Sequence, residues 1–216
     1  MKSNAALVIA IALVSLAACD PAANQPADAA ASPDVASAAD AAPTPDAPVS
    51  ADASTGPFSV AGTTSGDHVP AAGQAAVLWM VFAGNDHQYV FGHGTQTGPG
   101  FKVDFTGAPP PEALNNGTGV GIVVLFDLAA TVPPEGTIIT SEPAGVLGVT
   151  GRHSIVYRAP GAAAQLPWSS AFPEGYACGK CVDSATSFDT YEPVACSQVD
   201  LQAPTNLSTI DFCNFF

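Results

Sequence analysis

The stretch "GVGIVVLFD", Gly119–Asp127, carries seven apolar or glycine residues before its first large aromatic, and a single acid closes it. Its β-branched content favours a strand, and its near-continuous apolar run fits one that is covered on both faces. A second run, "AAVLWMVFA" (Ala75–Ala83), has the same character. Around these two central strands the chain alternates instead. In "FKVDFTG" (Phe101–Gly107), Phe101, Val103 and Phe105 point one way and Lys102 and Asp104 the other. "FSVAGTT", "HQYVFGHG", "GTIIT", "GVLGVTG" and "HSIVYRA" extend the series, with glycine and proline between them. Only "PPPEALNNG" (Pro109–Gly117) offers a helical turn, opened by proline. Eight or more short strands with almost no helical periodicity predict an all-β domain over residues 57–216, an antiparallel β-sandwich.

The chain of 216 residues holds 5 basic and 19 acidic side chains, a formal net charge of −14. Such a surface repels nucleic acid and anionic lipid headgroups, so neither is an expected partner. With 47% hydrophobic residues the chain has enough apolar material for a core. No "GxSxG" elbow, "HExxH", Walker loop or dinucleotide fingerprint occurs, and no cofactor is expected.

The N-terminus reads as an address. One lysine precedes Ala5–Ala18, a 14-residue apolar run interrupted only by Ser15. At 1.5 Å per residue it spans about 21 Å, short of a bilayer core of roughly 30 Å, so residues 1–18 read as a secretory signal peptide. Leu16-Ala17-Ala18-Cys19 resembles the lipobox of bacterial lipoprotein signal peptides. That resemblance implies cleavage before Cys19 and acylation of its thiol and amine. It places the domain outside the cytoplasm of a bacterial cell, anchored to a membrane through Cys19. Two or three chains make such anchoring effectively permanent. Asp20 resembles the acid at the second mature position that retains some lipoproteins in an inner membrane, so the choice of membrane stays open.

Residues 19–56 change composition abruptly. Asp20–Gly56 holds 14 Ala, 6 Pro and 6 Asp in 37 residues, with no aromatic, Leu, Ile or Met. Asp28, Asp34, Asp40, Asp46 and Asp52 recur every sixth residue. A period of six matches neither helix nor strand and builds no buried face, so the segment reads as a disordered, self-repelling spacer. Its coil reach is about 35 Å, rising to about 115 Å when stretched toward polyproline II geometry.

Cys178, Cys181, Cys196 and Cys213 give C-x2-C-x14-C-x16-C. In an exported chain this reads as two disulfides. Three pairings are open. The nested one, Cys181–Cys196 with Cys178–Cys213, is preferred because it ties down an expected C-terminal strand, "STIDFC". A four-cysteine zinc site is the competing reading, although the second pair lacks knuckle spacing. "YACGKC" resembles the thioredoxin-type C-x-x-C, but no helical pattern follows it.

His87 and His93 in "NDHQYVFGHG" are the candidate metal ligands. On a regular strand they share a face about 20 Å apart, too far for one ion unless Gly92 and Gly94 bend the chain. Trp79 is expected in the core. Trp168, with Phe172 and Tyr176 in a proline-rich connection, is a candidate recognition surface.

The order "SGDHVPAAGQAAVLWMVF … TGPGFKVDF" is similar to transthyretin-like and carboxypeptidase-regulatory sandwich modules, and the likeness covers about fifty residues. It implies an accessory or binding module. The expectation is therefore a membrane-anchored envelope lipoprotein presenting a non-catalytic binding or structural module to an envelope protein or small ligand. The alternatives are an exported hydrolase, a C-x-x-C redox protein or a metal-binding protein.

Overall fold

The computed structural model of the chain describes residues 57–80, 87–163, 169–182 and 191–212, all within one compact unit, Ala51–Phe216. Eleven strands form among them: β1 (Phe58–Ser65), β2 (Ala72–Met80), β3 (Gln88–Thr97), β4 (Gly100–Phe105), β5 (Thr118–Asp127), β6 (Ile138–Ile139), β7 (Val146–Thr150), β8 (His153–Arg158), β9 (Gly175–Cys181), β10 (Tyr191–Val194) and β11 (Asp200–Gln202). The expected helical turn is a 3-10 helix at Pro111–Ala113. The expected C-terminal strand is not formed as such. Leu207–Thr209 is a 3-10 turn capped by the Asn206 side chain, and the last strand is Asp200–Gln202.

The domain is all-β, but it is a barrel and not a sandwich. Hydrogen bonding runs β5–β2–β3–β4–β1–β11–β7 and returns from β7 to β5. Every contact in this ring is antiparallel except β1–β11, which is parallel. Alternation of apolar and polar residues is common to both architectures, so the pattern that predicts the strands does not distinguish one closed sheet from two packed ones.

Closure depends on β5. One edge of β5 pairs with β2 along Gly121–Asp127. Its other edge is divided, with Thr118–Gly121 pairing β8 and Val124–Phe126 pairing β7. Between these two partners the ladder has a gap, and the Val123 N–H would be left unpaired in the interior. Thr150 fills it, accepting that N–H on its Oγ1 at 3.0 Å. From this fork the chain continues as a second branch, β8–β9–β10.

The barrel interior is filled. Odd-numbered residues of β2, β4 and β5, among them Ala75, Val77, Trp79, Phe101, Val103, Phe105, Val123 and Leu125, join Val60, Leu201, Ile155, Tyr157 and Tyr176 in one core. The outer face of β2 and β5 is also covered. Ala76, Leu78, Val124 and Phe126 pack with Val90 and with Ala130, Val132 and Ile139 of the connection between β5 and β7. This second cluster explains why β2 and β5 read as continuous apolar runs in an antiparallel sheet, where one face is ordinarily wet.

The fork supports a stability prediction. Thr150→Val keeps the shape and removes the acceptor, so it should lower unfolding free energy by about 1–3 kcal/mol, whereas Thr150→Ser should cost much less. Urea unfolding of both variants checks this. Equal losses would show that the hydroxyl does not matter.

Candidate functional site

Tyr176 is the hub of the interior. Its ring stacks on Phe105 at 4.5 Å and on Phe58 at 5.2 Å, and lies 4.8 Å from Tyr157 and 6.0 Å from Trp79. Its hydroxyl donates to the Gly107 carbonyl at 2.6 Å. Burial first, then the neighbouring Tyr157 and Glu135, hold this phenol well above its ordinary range, so it stays neutral. Trp79 is fully buried as expected, and its indole N–H donates to the Phe91 carbonyl at 2.9 Å.

The expected aromatic recognition surface does not form from Phe172 and Tyr176. Both are buried, on opposite faces of the branch. Tyr176 turns into the barrel, and Phe172 packs with Val156, Cys181 and Tyr191 on the other side. Trp168 lies outside the described residues.

The cysteine pairing also differs from the nested expectation. Cys178 is bonded to Cys196, not to Cys213, with sulfurs 2.02 Å apart. Cys181, expected to pair with Cys196, is itself disulfide-bonded; Cys213 lies outside the described residues. Cys178 on β9 faces the barrel core, and Cys196 sits in the 3-10 turn Cys196–Gln198 that leads into β11. The crosslink therefore bolts the branch to the barrel wall. Neither cysteine of "CGKC" opens a helix, because both lie on β9. Removing the bridge with Cys178→Ala and Cys196→Ala should cost about 3 kcal/mol on the chain-entropy account of a loop with separation 18. Non-reducing peptide mapping should return Cys178 linked to Cys196, and recovery of Cys181 linked to Cys196 would refute the pairing.

The two candidate metal histidines separate in a way the strand parity conceals. Pairing of β2 with β3 passes from Ala76↔His93 to Leu78↔Val90, so β3 carries one extra residue there. Gly92, at φ +95, takes the bulge conformation, and its N–H donates to Glu135 Oε1 at 3.0 Å. One extra residue reverses every side chain beyond it. His93 pairs across from Ala76 on the outer face, whereas His87 follows the parity of Tyr89, which pairs with inward Trp79. His87 contacts the Tyr89 ring, and His93 Nε2 lies 3.0 Å from the Pro133 carbonyl. They do not share a face. Among the described residues no three His, Cys, Asp or Glu side chains converge as a metal site.

His93 instead lines a cleft of about 200 Å3 with Gln74, Ala75, Gly94 and Val132. It lies between the outer face of β2–β3 and the start of the β5–β7 connection. Gln74, which carried no motif and was missed in the sequence, ties that connection down. Its Nε2 donates to the carbonyls of Leu128 at 3.0 Å and Ala130 at 2.9 Å. The only signal for it was a lone amide opening an apolar strand.

The remaining polar groups form short surface networks. Asp104 accepts from Lys102 Nζ at 2.6 Å and from the Ser59 hydroxyl, and Asp67 accepts from the N–H and hydroxyl of Thr205. Both carboxyls are held below their ordinary range by these hydrogen bonds. Asp200 accepts from Ser65 at 2.8 Å, while its own N–H faces His153 Nδ1 at 3.5 Å. Serine, histidine and aspartate are thus adjacent, but the serine bonds the acid and not the imidazole, which is not the order a nucleophilic triad requires. Compared with known protein families, with curated proteins and with solved structures, the chain matches none.

His153 carries a pH prediction. Burial first, then Lys180 on β9, depress its pKa, and Asp200 on β11 opposes them. The unfolded chain protonates near its ordinary pKa of about 6.5, while folded His153 resists protonation to lower pH. The unfolded state therefore binds more protons in that interval. Stability should fall as pH drops through 6.5 and level off below the folded value. His153→Gln should flatten this part of the profile. Superimposable wild-type and variant profiles would refute the assignment.

Proposed function

We propose that this chain is a lipid-anchored envelope protein whose β-barrel serves as a binding or structural module held off the membrane. The observation that carries the reading is Leu16-Ala17-Ala18-Cys19, set at the end of the apolar run Ala5–Ala18 and followed at once by a 37-residue spacer, Asp20–Gly56. Short apolar core, small residues before the cysteine, and a chain unable to bury a face after it are what anchoring at Cys19 requires.

The filled interior supports the surface as the working part. Trp79, Phe105, Tyr157 and Tyr176 occupy the space in which a ligand-carrying barrel holds its cargo. Disulfides agree with an oxidising compartment outside the cytoplasm.

Expression in a bacterial host with labelled palmitate tests the reading. The wild-type chain should incorporate label and sediment with membranes, and Cys19→Ser should lose the label and remain uncleaved. Equal fractionation of the two, with no label in either, would overturn it.

A further inference from the structure

The cleft beside β3 has an unusual inventory of hydrogen-bonding atoms. His93 Nε2 lies 3.0 Å from the Pro133 carbonyl, and a carbonyl only accepts, so Nε2 carries the proton. In the neutral ring the other nitrogen, Nδ1, is then a lone-pair acceptor. The Gln74 amide is oriented by the same logic. Its nitrogen faces the Leu128, Ala130 and Asp127 carbonyls, three acceptors in a row, which leaves Oε1 as the open atom. Among the described residues neither Gln74 Oε1 nor His93 Nδ1 accepts a hydrogen bond. The donors of both side chains are engaged in holding the β5–β7 connection. What they offer a ligand is acceptors.

The surrounding charge has the matching sign. From Pro57 to Gly151 the only basic side chain is Lys102, and its ammonium is paired to Asp104 at 2.6 Å. Asp104, the cross-strand partner of His93, is offset by that same lysine, and the uncompensated charge nearest the cleft is Asp127, which adjoins the carbonyls that hold Gln74. An anion entering this cleft meets no available donor side chain and an unfavourable field. A hydrogen-bond-donating cation meets two acceptors and a favourable one.

We propose that the cleft lined by Gln74, Ala75, His93, Gly94 and Val132 binds a small primary ammonium group, free or as the end of a larger amine. A volume of about 200 Å3 admits the –CH2–NH3+ head and a few more heavy atoms, with Val132 available to the methylene and Ala75, whose side chain faces the core, contributing backbone. Gln74 Oε1 and His93 Nδ1 each accept one N–H. A single imidazole without a carboxylate or thiolate in the cleft is too small a donor set to favour a transition metal. This assignment gives the binding reading above a ligand class and rests on it only in that sense, because the cleft does not depend on the lipid anchor.

The test is an NMR titration of the full-length chain, in detergent micelles, with ethylammonium chloride. Saturable shifts should appear at the Gln74 side-chain amide, His93 and Gly94, with a dissociation constant on the order of 1–10 mM for so small a ligand. Tetramethylammonium, which has the charge but no N–H, should leave these signals in place at equal ionic strength. His93→Leu should weaken ethylammonium binding at least tenfold while the Tyr176 and Trp79 signals stay folded. Should His93→Leu disturb the fold, the comparison of the two cations on the wild-type chain decides alone. Equal shifts with both cations would overturn the proposal, leaving only unspecific screening. So would shifts produced by zinc and not by ethylammonium. The intact mass of the same preparation reports acylation of Cys19 separately, so failure of the cleft and failure of the anchor reading are told apart.

Discussion

A single strand cannot pair with two neighbours on one edge without a break between them, and the architecture follows from how β5 resolves that conflict. Its two partners, β7 and β8, are consecutive in the chain, separated only by Gly151 and Arg152. The chain therefore parts at Thr150 into the wall of the barrel and the base of the branch. The N–H of Val123, facing the parting, is buried, and one threonine hydroxyl satisfies it. The next step is held by backbone, where Cys181 N–H donates to the Arg152 carbonyl at 2.9 Å. A sheet that merely frayed at this point would leave such groups to water. Here they are paired, so the fork is a fixed element of the fold.

The branch in turn completes the core. β11 pairs with β1 only along Thr63–Ser65, and β7 pairs with β5 only along Val124–Phe126. Toward the Phe58 end the hydrogen-bonded wall is therefore incomplete. Ile155, Tyr157, Tyr176 and Cys178 from β8 and β9 close it through packing. Tyr176 against Phe58 and Phe105 joins branch to barrel by dispersion and stacking, and Cys178–Cys196 joins them covalently. Stacking is directional but reversible. The disulfide limits how far the branch can move if the stack opens.

The sequence reveals the strands better than their arrangement. Phe101, Val103 and Phe105 alternate with Lys102 and Asp104 as read, because alternation reports which face is dry. It does not report which edge meets which, and the fork at β5 leaves no mark beyond an ordinary threonine. "GYACGKC" does not announce the strand it forms, since two glycines and two cysteines carry little strand propensity. The histidines show a further limit. Parity along β3 depends on one inserted residue at Gly92, and a glycine in a strand pattern signals a bulge without saying which side chains it turns over. The Gln74–His93 cleft was invisible for the same reason. Its two lining acceptors are nineteen positions apart, and they meet only through the displaced register of β3.

Charge connects the two ends of the chain. Residues 20–56 and the barrel are both acidic, and in the described residues three of the barrel's four bases are committed to ion pairs, Lys102 with Asp104, Arg152 with Asp211 and Arg158 with Glu174. The exposed pair Lys102–Asp104 contributes little to stability, but together the three pairs cancel the positive patches through which a protein would settle on anionic headgroups. A module anchored through Cys19 as proposed would then be kept off its own membrane twice, by the reach of the spacer and by like-charge repulsion that fades beyond about 8 Å at physiological salt. The same surplus of acid raises the local concentration of cations around the barrel. On that surface an acceptor-lined cleft beside His93 selects among cations by their N–H groups, which charge alone cannot do.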